Sequence, residues 1–278
     1  MISDEQKIVE KILKIIQNEK NIDFTKYKFN TIFRRINHRL IMLGFKNILM
    51  YYNYLIKNVD KEIDVLVNLF LINTSEFFRD PLYFYIFDNL VNTLLKKGEN
   101  YIKVLSIGCS TGEEVYTIFM ILNEYREKNK NFEFKIVGVD LDEDAIIQAN
   151  KATYSKSSIK NVPHSFVEKY FIKKNDSYIF NKELIPKDCI TFIDENILEG
   201  KTRKIVGAFK YDFVFCRNLL IYLDKELQNE LIKKITEILA TNGYFIQGKS
   251  EYINKKYSKY FKEISSGVRI YKYLGERC

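Results

Sequence analysis

Apolar residues recur at helical spacing through the N-terminal part of the chain. Ile8, Ile12, Ile15 and Ile16 fall on one face of a helix predicted over residues 4–18, which Ser3 or Asp4 can cap. Ile32, Ile36, Leu40 and Leu43 form the apolar face of a second helix, ended by Gly44. Helical patterns continue over residues 48–56 and 62–71. Residues 72–81 then mix capping residues with Phe77, Phe78 and an Arg-Asp-Pro sequence, which predicts a turn opening a helix that runs to Leu95. The adjacent aromatics are expected to pack against the next domain.

Beyond a loop at residues 96–100 the period changes. Short apolar runs at residues 104–107, 134–140, 190–193 and 211–218 read as buried parallel strands. They alternate with helical stretches at residues 115–122 and 143–151, and with a long helix capped by Asp224. That helix carries Leu227, Leu231, Ile235 and Ile238 on one face and is expected to close at Gly243. Residues 244–247 and 268–273 read as the last two strands. Residues 154–190 interrupt the rhythm with a short helical piece and two aromatic runs around a turn at residues 174–177, a small antiparallel β insertion. The predicted organisation is an all-α domain (1–72), a linker and connecting helix (73–98), and an α/β domain (99–278) with a β subdomain inserted at about 154–190.

The candidate chemistry lies where the first strand ends. Gly108 and Gly112 bracket a turn, followed at once by Glu113 and Glu114. The spacing is GxxxG, so neither the dinucleotide fingerprint GxGxxG nor the P-loop is present. Two carboxylates at a helix start complement its dipole and repel a pyrophosphate. A cationic, hydroxyl-rich ligand suits the corner, and S-adenosylmethionine has that character. A purely structural strand–helix turn is the alternative. Asp140, ending the second strand, stands where a ribose diol is held in α/β nucleotide sites, or else caps the next helix, a task Asp142 can also perform.

Composition narrows the picture. The chain has 278 residues, 46% of them apolar, enough for a real core, and a net charge of +8 that is not one contiguous tail. The balance suits acidic partners without indicating nucleic acid. Residues 24–46 hold six Lys or Arg and no Asp or Glu. Arg34, Arg35, His38 and Arg39 cluster there, either as a solvated face or as a docking surface. Cys109, Cys189, Cys216 and Cys278 form no CxxC pair, so they read as reduced thiols of a cytoplasmic protein. With two histidines and no clustering, no metal is expected. No signal peptide is recognised at the start and no apolar run reaches about 18 residues.

Five motifs in order carry a resemblance: Asn-Thr-Ser-Glu-Phe-Phe-Arg (73–79), Gly-Cys-Ser-Thr-Gly-Glu-Glu (108–114), Gly-Val-Asp-Leu-Asp (138–142), Cys-Arg-Asn-Leu-Leu-Ile-Tyr (216–222) and Gly-Lys-Ser-Glu (248–251). Over nearly its whole length the chain resembles the chemotaxis receptor glutamate O-methyltransferases, the CheR family. It departs at Val115, where the family usually has Pro, and at Lys249, where it often has His. The resemblance implies a Rossmann-like S-adenosylmethionine-dependent methyltransferase sheet, an N-terminal all-α domain and a β subdomain. It implies that Asn73, Ser75 and Arg79 flank the methionine part of the cofactor, and that Gly108 and Glu114 lie close to it. Asp140 would hold the ribose or adenine end, Asn196 and Ile197 would border the adenine, and Arg217 and Asn218 would line the floor. Arg79 and Tyr222 match the pair nearest the transferred methyl, with Arg79 orienting either the substrate or the cofactor carboxylate. The product would be S-adenosylhomocysteine. The basic N-terminal face would dock on acidic methylation helices in the cytoplasmic domain of methyl-accepting chemotaxis receptors, recruiting a monomeric enzyme to receptor arrays.

Some family members also grip a receptor C-terminal pentapeptide with the β insertion. Here only six residues, none of them Gly, separate Phe171 from Tyr178, so independence of the pentapeptide is expected. The rival readings are a methyltransferase with another acceptor and a non-catalytic receptor-binding adaptor.

Overall fold

The computed structural model describes residues 3–71, 74–198, 210–265 and 267–275. Contacts divide the chain into two compact units, Met1–Ile72 with Leu220–Gln228, and Asn73–Leu219 with Asn229–Cys278. Cys278 lies outside the described residues.

The first unit is built on α1 (Asp4–Lys20), α2 (Phe29–Met42), α3 (Ile48–Leu55) and α4 (Val59–Phe70). Ser3 caps α1 in a reciprocal box with Gln6, satisfying two backbone donors at the helix start. The apolar stripes converge on one core that includes Ile12, Ile16, Ile32, Ile36, Tyr51, Leu55, Leu66 and Phe70. Inside this apolar setting sits a carboxylate. Glu62 is 1% exposed. Arg39 donates to both its oxygens, at 2.7 and 2.8 Å, and the Tyr51 hydroxyl donates to Oε1 at 2.8 Å. Burial and the Glu62 hydrogen bond push the Tyr51 phenol up, and the Glu62 contact raises Arg39. Arg35 donates to the Leu69 carbonyl at 2.7 Å, and burial lowers its pKa. The cluster of four basic side chains is therefore divided. Arg34 and His38 are exposed, whereas Arg35 and Arg39 hold α2 to α4.

Residues 220–228 join this unit through the backbone. Lys28 N–H donates to the Tyr222 carbonyl at 2.8 Å, Asp224 N–H to the Lys26 carbonyl at 2.9 Å, and Tyr27 and Leu223 form an antiparallel bridge. The Gln228 amide closes the turn onto the Leu220 and Leu223 carbonyls.

In the second unit α5 (Pro81–Lys96) precedes β1 (Tyr101–Ile107), α6 (Glu113–Lys128), β2 (Glu133–Asp140) and α7 (Glu143–Lys151). The insertion contains β3 (Thr153–Ser155), α8 (His164–Tyr170), β4 (Phe171–Lys174) and β5 (Ser177–Phe180). Its three strands are antiparallel, in the order β3-β5-β4, and Lys174 pairs with Ser177 across a two-residue turn. The main sheet resumes with β6 (Ile190–Asp194), β7 (Tyr211–Cys216), α9 (Lys225–Ile238), β8 (Leu239–Gln247), α10 (Lys255–Ser258), β9 (Phe261–Glu263) and β10 (Ile270–Tyr273).

The sheet order is β6-β2-β1-β7-β8-β10-β9. The first five strands are parallel, and β10 and β9 are antiparallel to their neighbours. The chain lays β1 at the centre, works outward through β2 and β6, then returns to the other flank at β7. The register sets Ile107 beside Val139 and Cys216, Asp140 beside Asp194, and Cys216 beside Gln247. All five carboxyl ends thus share one edge, with the switch of direction beside β1, where open α/β sheets bind ligands.

One boundary differs from expectation. Gly243 does not close α9, which ends at Ile238 and runs directly into β8. The pairing of β7 with β8 jumps from Tyr211–Leu239 to Phe213–Tyr244, and Gly243 lies in that irregular stretch. A strand interruption and a helix stop present the same Asn-Gly signal.

Replacing Arg39 with Ala strips the paired cation from a buried carboxylate and is expected to lower unfolding stability by about 3 kcal/mol. Arg34→Ala, at an exposed position, should stay within about 0.5 kcal/mol. Urea unfolding followed by circular dichroism measures both.

Candidate active site

The turn after β1 is tied to β2 before any side chain is considered. The Gly108 and Cys109 N–H groups both donate to the Val139 carbonyl, at 2.8 and 3.1 Å. Gly112 has φ +91°, and a Cβ there would lie 3.0 Å from the Ala149 Cβ and 3.2 Å from the Tyr116 and Phe192 rings. Conformation and space both demand glycine.

Asp140 accepts from Ser110 N–H at 2.7 Å and from Asp142 N–H at 3.0 Å. It does not cap α7, because the Asp142 side chain accepts from Ala145 N–H at 3.2 Å and fills that role. Burial raises the Asp140 carboxyl pKa, opposed by these N–H groups. Glu113, 3% exposed, is raised likewise by burial. Both carboxylates, together with Glu114, also lift the buried Cys109 thiol, after burial itself.

A second constellation is centred on Arg217, just past β7. Its guanidinium donates to Glu114 Oε2 at 3.1 Å, to Asp80 Oδ2 at 2.9 Å and to the Arg79 carbonyl at 2.7 Å. It lies over the Tyr83 and Phe84 rings at 4.8 and 5.3 Å. Ser106 donates to the other Glu114 oxygen at 2.8 Å. Asn218 follows at φ +61°. Its N–H and that of Gly248 converge on one oxygen of buried Glu251, at 2.9 and 2.7 Å. A Cβ at Gly248 would sit 2.8 Å from that oxygen, so the close approach needs glycine. Sequence reasoning gave Glu251 no role; the Gly-x-Ser-Glu run directly after a strand was the available signal.

The remaining candidates occupy different settings. Arg79 donates to the Thr74 carbonyl at 3.1 Å, while Glu76 pairs with Lys160 and Asp80 with Arg217, so neither adjacent acid takes the Arg79 guanidinium. The Ser75 side chain hydrogen-bonds Glu113. Asn73 lies outside the described residues. Asn196 follows β6 and accepts from Leu198 N–H at 3.0 Å, and buried Ile197 accepts from Lys234 Nζ at 2.7 Å through its carbonyl. Tyr222 belongs to the first unit, with Arg34, Arg35, His38 and Arg39; the others belong to the second.

The donor set fits a ligand with cationic and hydroxyl groups. Glu113, Glu114 and Asp140 meet around the turn, and each Asp140 oxygen that takes a backbone N–H keeps acceptor capacity for a hydroxyl.

The model of the CheR methyltransferase SAM binding domain matches residues 73–270, and that of the CheR methyltransferase all-alpha domain matches residues 8–71. The chain is 32% identical over 250 residues to a chemotaxis protein methyltransferase of Borreliella burgdorferi, covering 87% of each. It is 27% identical over 241 residues to chemotaxis protein methyltransferase 2 of Vibrio cholerae, covering 84% of this chain and 81% of that one. Identity to the chemotaxis protein methyltransferase of Escherichia coli is 24% over 242 residues, covering 87% and 82%.

Arg217→Ala is expected to destabilise the fold by about 3 kcal/mol or more, since Glu114 loses a buried partner. Arg217→Lys should not restore it, because one ammonium cannot reproduce the planar fork to two carboxylates and a carbonyl. A double-mutant cycle with Glu114→Gln should give a coupling of about 1–3 kcal/mol by denaturant unfolding.

Proposed function

The chain belongs to the CheR methyltransferase family, and on that premise we propose that it methylates glutamate side chains of methyl-accepting chemotaxis receptors. Its second unit is the family's S-adenosylmethionine-binding domain. The observation that carries the reading is the match over both parts of the chain, with relatives named as chemotaxis methyltransferases along most of their length.

Bound S-adenosylmethionine supplies an electrophilic sulfonium methyl. A glutamate acceptor has an ordinary pKa near about 4.3, so it is ionised at neutral pH and requires no general base. The protein's tasks are alignment and exclusion of water. Holding two reactants in attack geometry can supply on the order of 7–11 kcal/mol. Carboxylate and sulfonium charges cancel as the bond forms, so a drier site favours transfer.

In this reading Ser75, Arg79 and Asn73 meet the methionine part of the cofactor, Asp140 the ribose, and Asn196 and Ile197 the adenine. Glu114 contributes negative charge. Arg217 serves first to fix the Arg79 backbone, through the bond to its carbonyl. Arg79 and Tyr222 are assigned to the methyl-bearing end. The docking face on the first unit is narrower than the charge run suggests, because Arg35 and Arg39 are committed to α4; Arg34 and His38 remain exposed. The partner is the cytoplasmic helical region of a receptor, to which the enzyme is recruited. No helix among the described residues is long and apolar enough to cross a membrane. The tight β4–β5 turn supports independence of a receptor pentapeptide.

Calorimetric titration with S-adenosylhomocysteine should show clear binding to the wild type and none to folded Asp140→Ala. No binding to well-folded wild type would remove the enzyme reading and favour the adaptor. Arg79→Ala should nearly abolish turnover while the fold survives.

The pH dependence follows from the raised Asp140 and Glu113 pKa values. The carboxylate of Asp140 is the binding form, so product affinity should weaken on acidification from above the ordinary aspartate range. Ligand-free stability has the opposite sign. Each carboxyl raised on folding contributes stability that is present below its unfolded pKa and lost as pH rises through the folded one.

Arg34→Glu should weaken receptor methylation while leaving S-adenosylhomocysteine affinity intact, and a receptor C-terminal pentapeptide should not bind at micromolar concentration. Equal loss of methylation and product affinity would count against docking at Arg34, and micromolar pentapeptide binding in calorimetry against independence.

A further inference from the structure

Glu113 is a buried ionisable side chain with no part in the proposed methyl transfer so far. It opens α6, where a carboxylate favours the helix dipole, but its side chain is engaged elsewhere. The Thr111 hydroxyl donates to Glu113 Oε2 at 2.7 Å, and Ser75 hydrogen-bonds the same carboxylate. Thr111 belongs to the turn after β1. Ser75 belongs to the segment that leads to Arg79. One carboxylate therefore joins the two chain segments to which the cofactor has been assigned.

The surrounding contacts reinforce the junction. The Thr117 hydroxyl donates to the Glu113 carbonyl at 2.7 Å and accepts from Phe78 N–H at 3.2 Å. The Tyr154 hydroxyl donates to the Thr111 carbonyl at 2.9 Å, and the Tyr154 ring stacks edge-on against Phe77 at 4.7 Å. The segment before α5 is thus held to the head of α6 and to the insertion, with Glu113 at the centre. Burial raises the Glu113 pKa, so the site tolerates an unfavourable buried charge whose hydroxyl contacts stabilise it.

We propose that Glu113 is a positioning residue for the methyl transfer: it sets Ser75 and the Arg79 segment against the Gly108–Gly112 turn without itself touching the reacting atoms. The inference rests on the assignment of S-adenosylmethionine to this site and deepens it.

Calorimetry with S-adenosylmethionine and with S-adenosylhomocysteine tests it on the full chain. Loss of hydrogen bonds to a charged acceptor predicts that Glu113→Ala weakens both ligands by about tenfold, equally. Glu113→Gln should recover most of this, since an amide accepts from one hydroxyl and donates to the other. In a Ser75→Ala background the Glu113→Ala effect should shrink, because one of its two outlets is gone. Wild-type affinity in folded Glu113→Ala would overturn the proposal and leave only a helix-dipole role. So would a loss confined to the sulfonium ligand, which marks simple charge attraction, or independent effects of the two substitutions. If Glu113→Ala does not fold, the Glu113→Gln and Ser75→Ala pair carries the same comparison, with coupled effects expected and independent ones overturning it. Failure of the wild type to bind either ligand would instead overturn the cofactor reading itself.

Discussion

The second unit depends on one buried guanidinium. Arg217 leaves the carboxyl end of β7 and joins Glu114 of α6, Asp80 at the head of α5 and the Arg79 carbonyl, while its flat face rests on two aromatic rings. A cation this buried persists only with its charge and hydrogen bonds matched, so each partner fixes the others. The contact at Glu114 sets the first turn of α6, and those at Asp80 and Arg79 set the segment before α5. The rings add packing that a lysine could not exploit. The loop carrying Arg79 is consequently placed by the sheet, with no regular secondary structure of its own.

The alternation of strand and helix in the second unit was legible because each buried parallel strand is a continuous apolar run and each helix an amphipathic one. The β insertion was legible from its break in that rhythm. What escaped were pieces too short to show a period: β3, α10 and β9, with three or four residues each. Gly243 misled for a different reason. An Asn-Gly pair permits a backbone reversal, and its local chemistry does not say whether a helix or a strand is being interrupted.

At the site, the residue types legible in the sequence were those whose role follows from position on a strand end. Asp140 was recognised because β2 stops there, and the structure removes its competing role by giving the cap to Asp142. The partners of charged groups were not legible. Glu62 reads as one more acidic residue at the start of a helix, and nothing local says that it is buried under Arg39 and Tyr51. The spacing of Arg35 and Arg39 was visible; their commitment to α4 depends on how separate helices meet. Arg217 and Glu114 are more than a hundred residues apart, and their pairing exists only once β1 and β7 are neighbours.

The acidic character of the turn ties these observations to the ligand. A phosphate-binding loop offers unpaired N–H groups and keeps carboxylates away. Here the turn's N–H groups are spent on protein acceptors, with Gly108 and Cys109 on Val139 and Ser110 on Asp140. What the loop presents is negative charge, on Asp140, Glu113 and Glu114, in a place where burial makes that charge unfavourable for the first two. A cationic ligand that also donates hydroxyl hydrogen bonds relieves the strain, and its affinity draws on the electrostatic cost the fold has already met. The GxxxG spacing and the paired acids after it belong to one physical solution: the glycines bring two strands and a helix close, and the acids give that corner its sign.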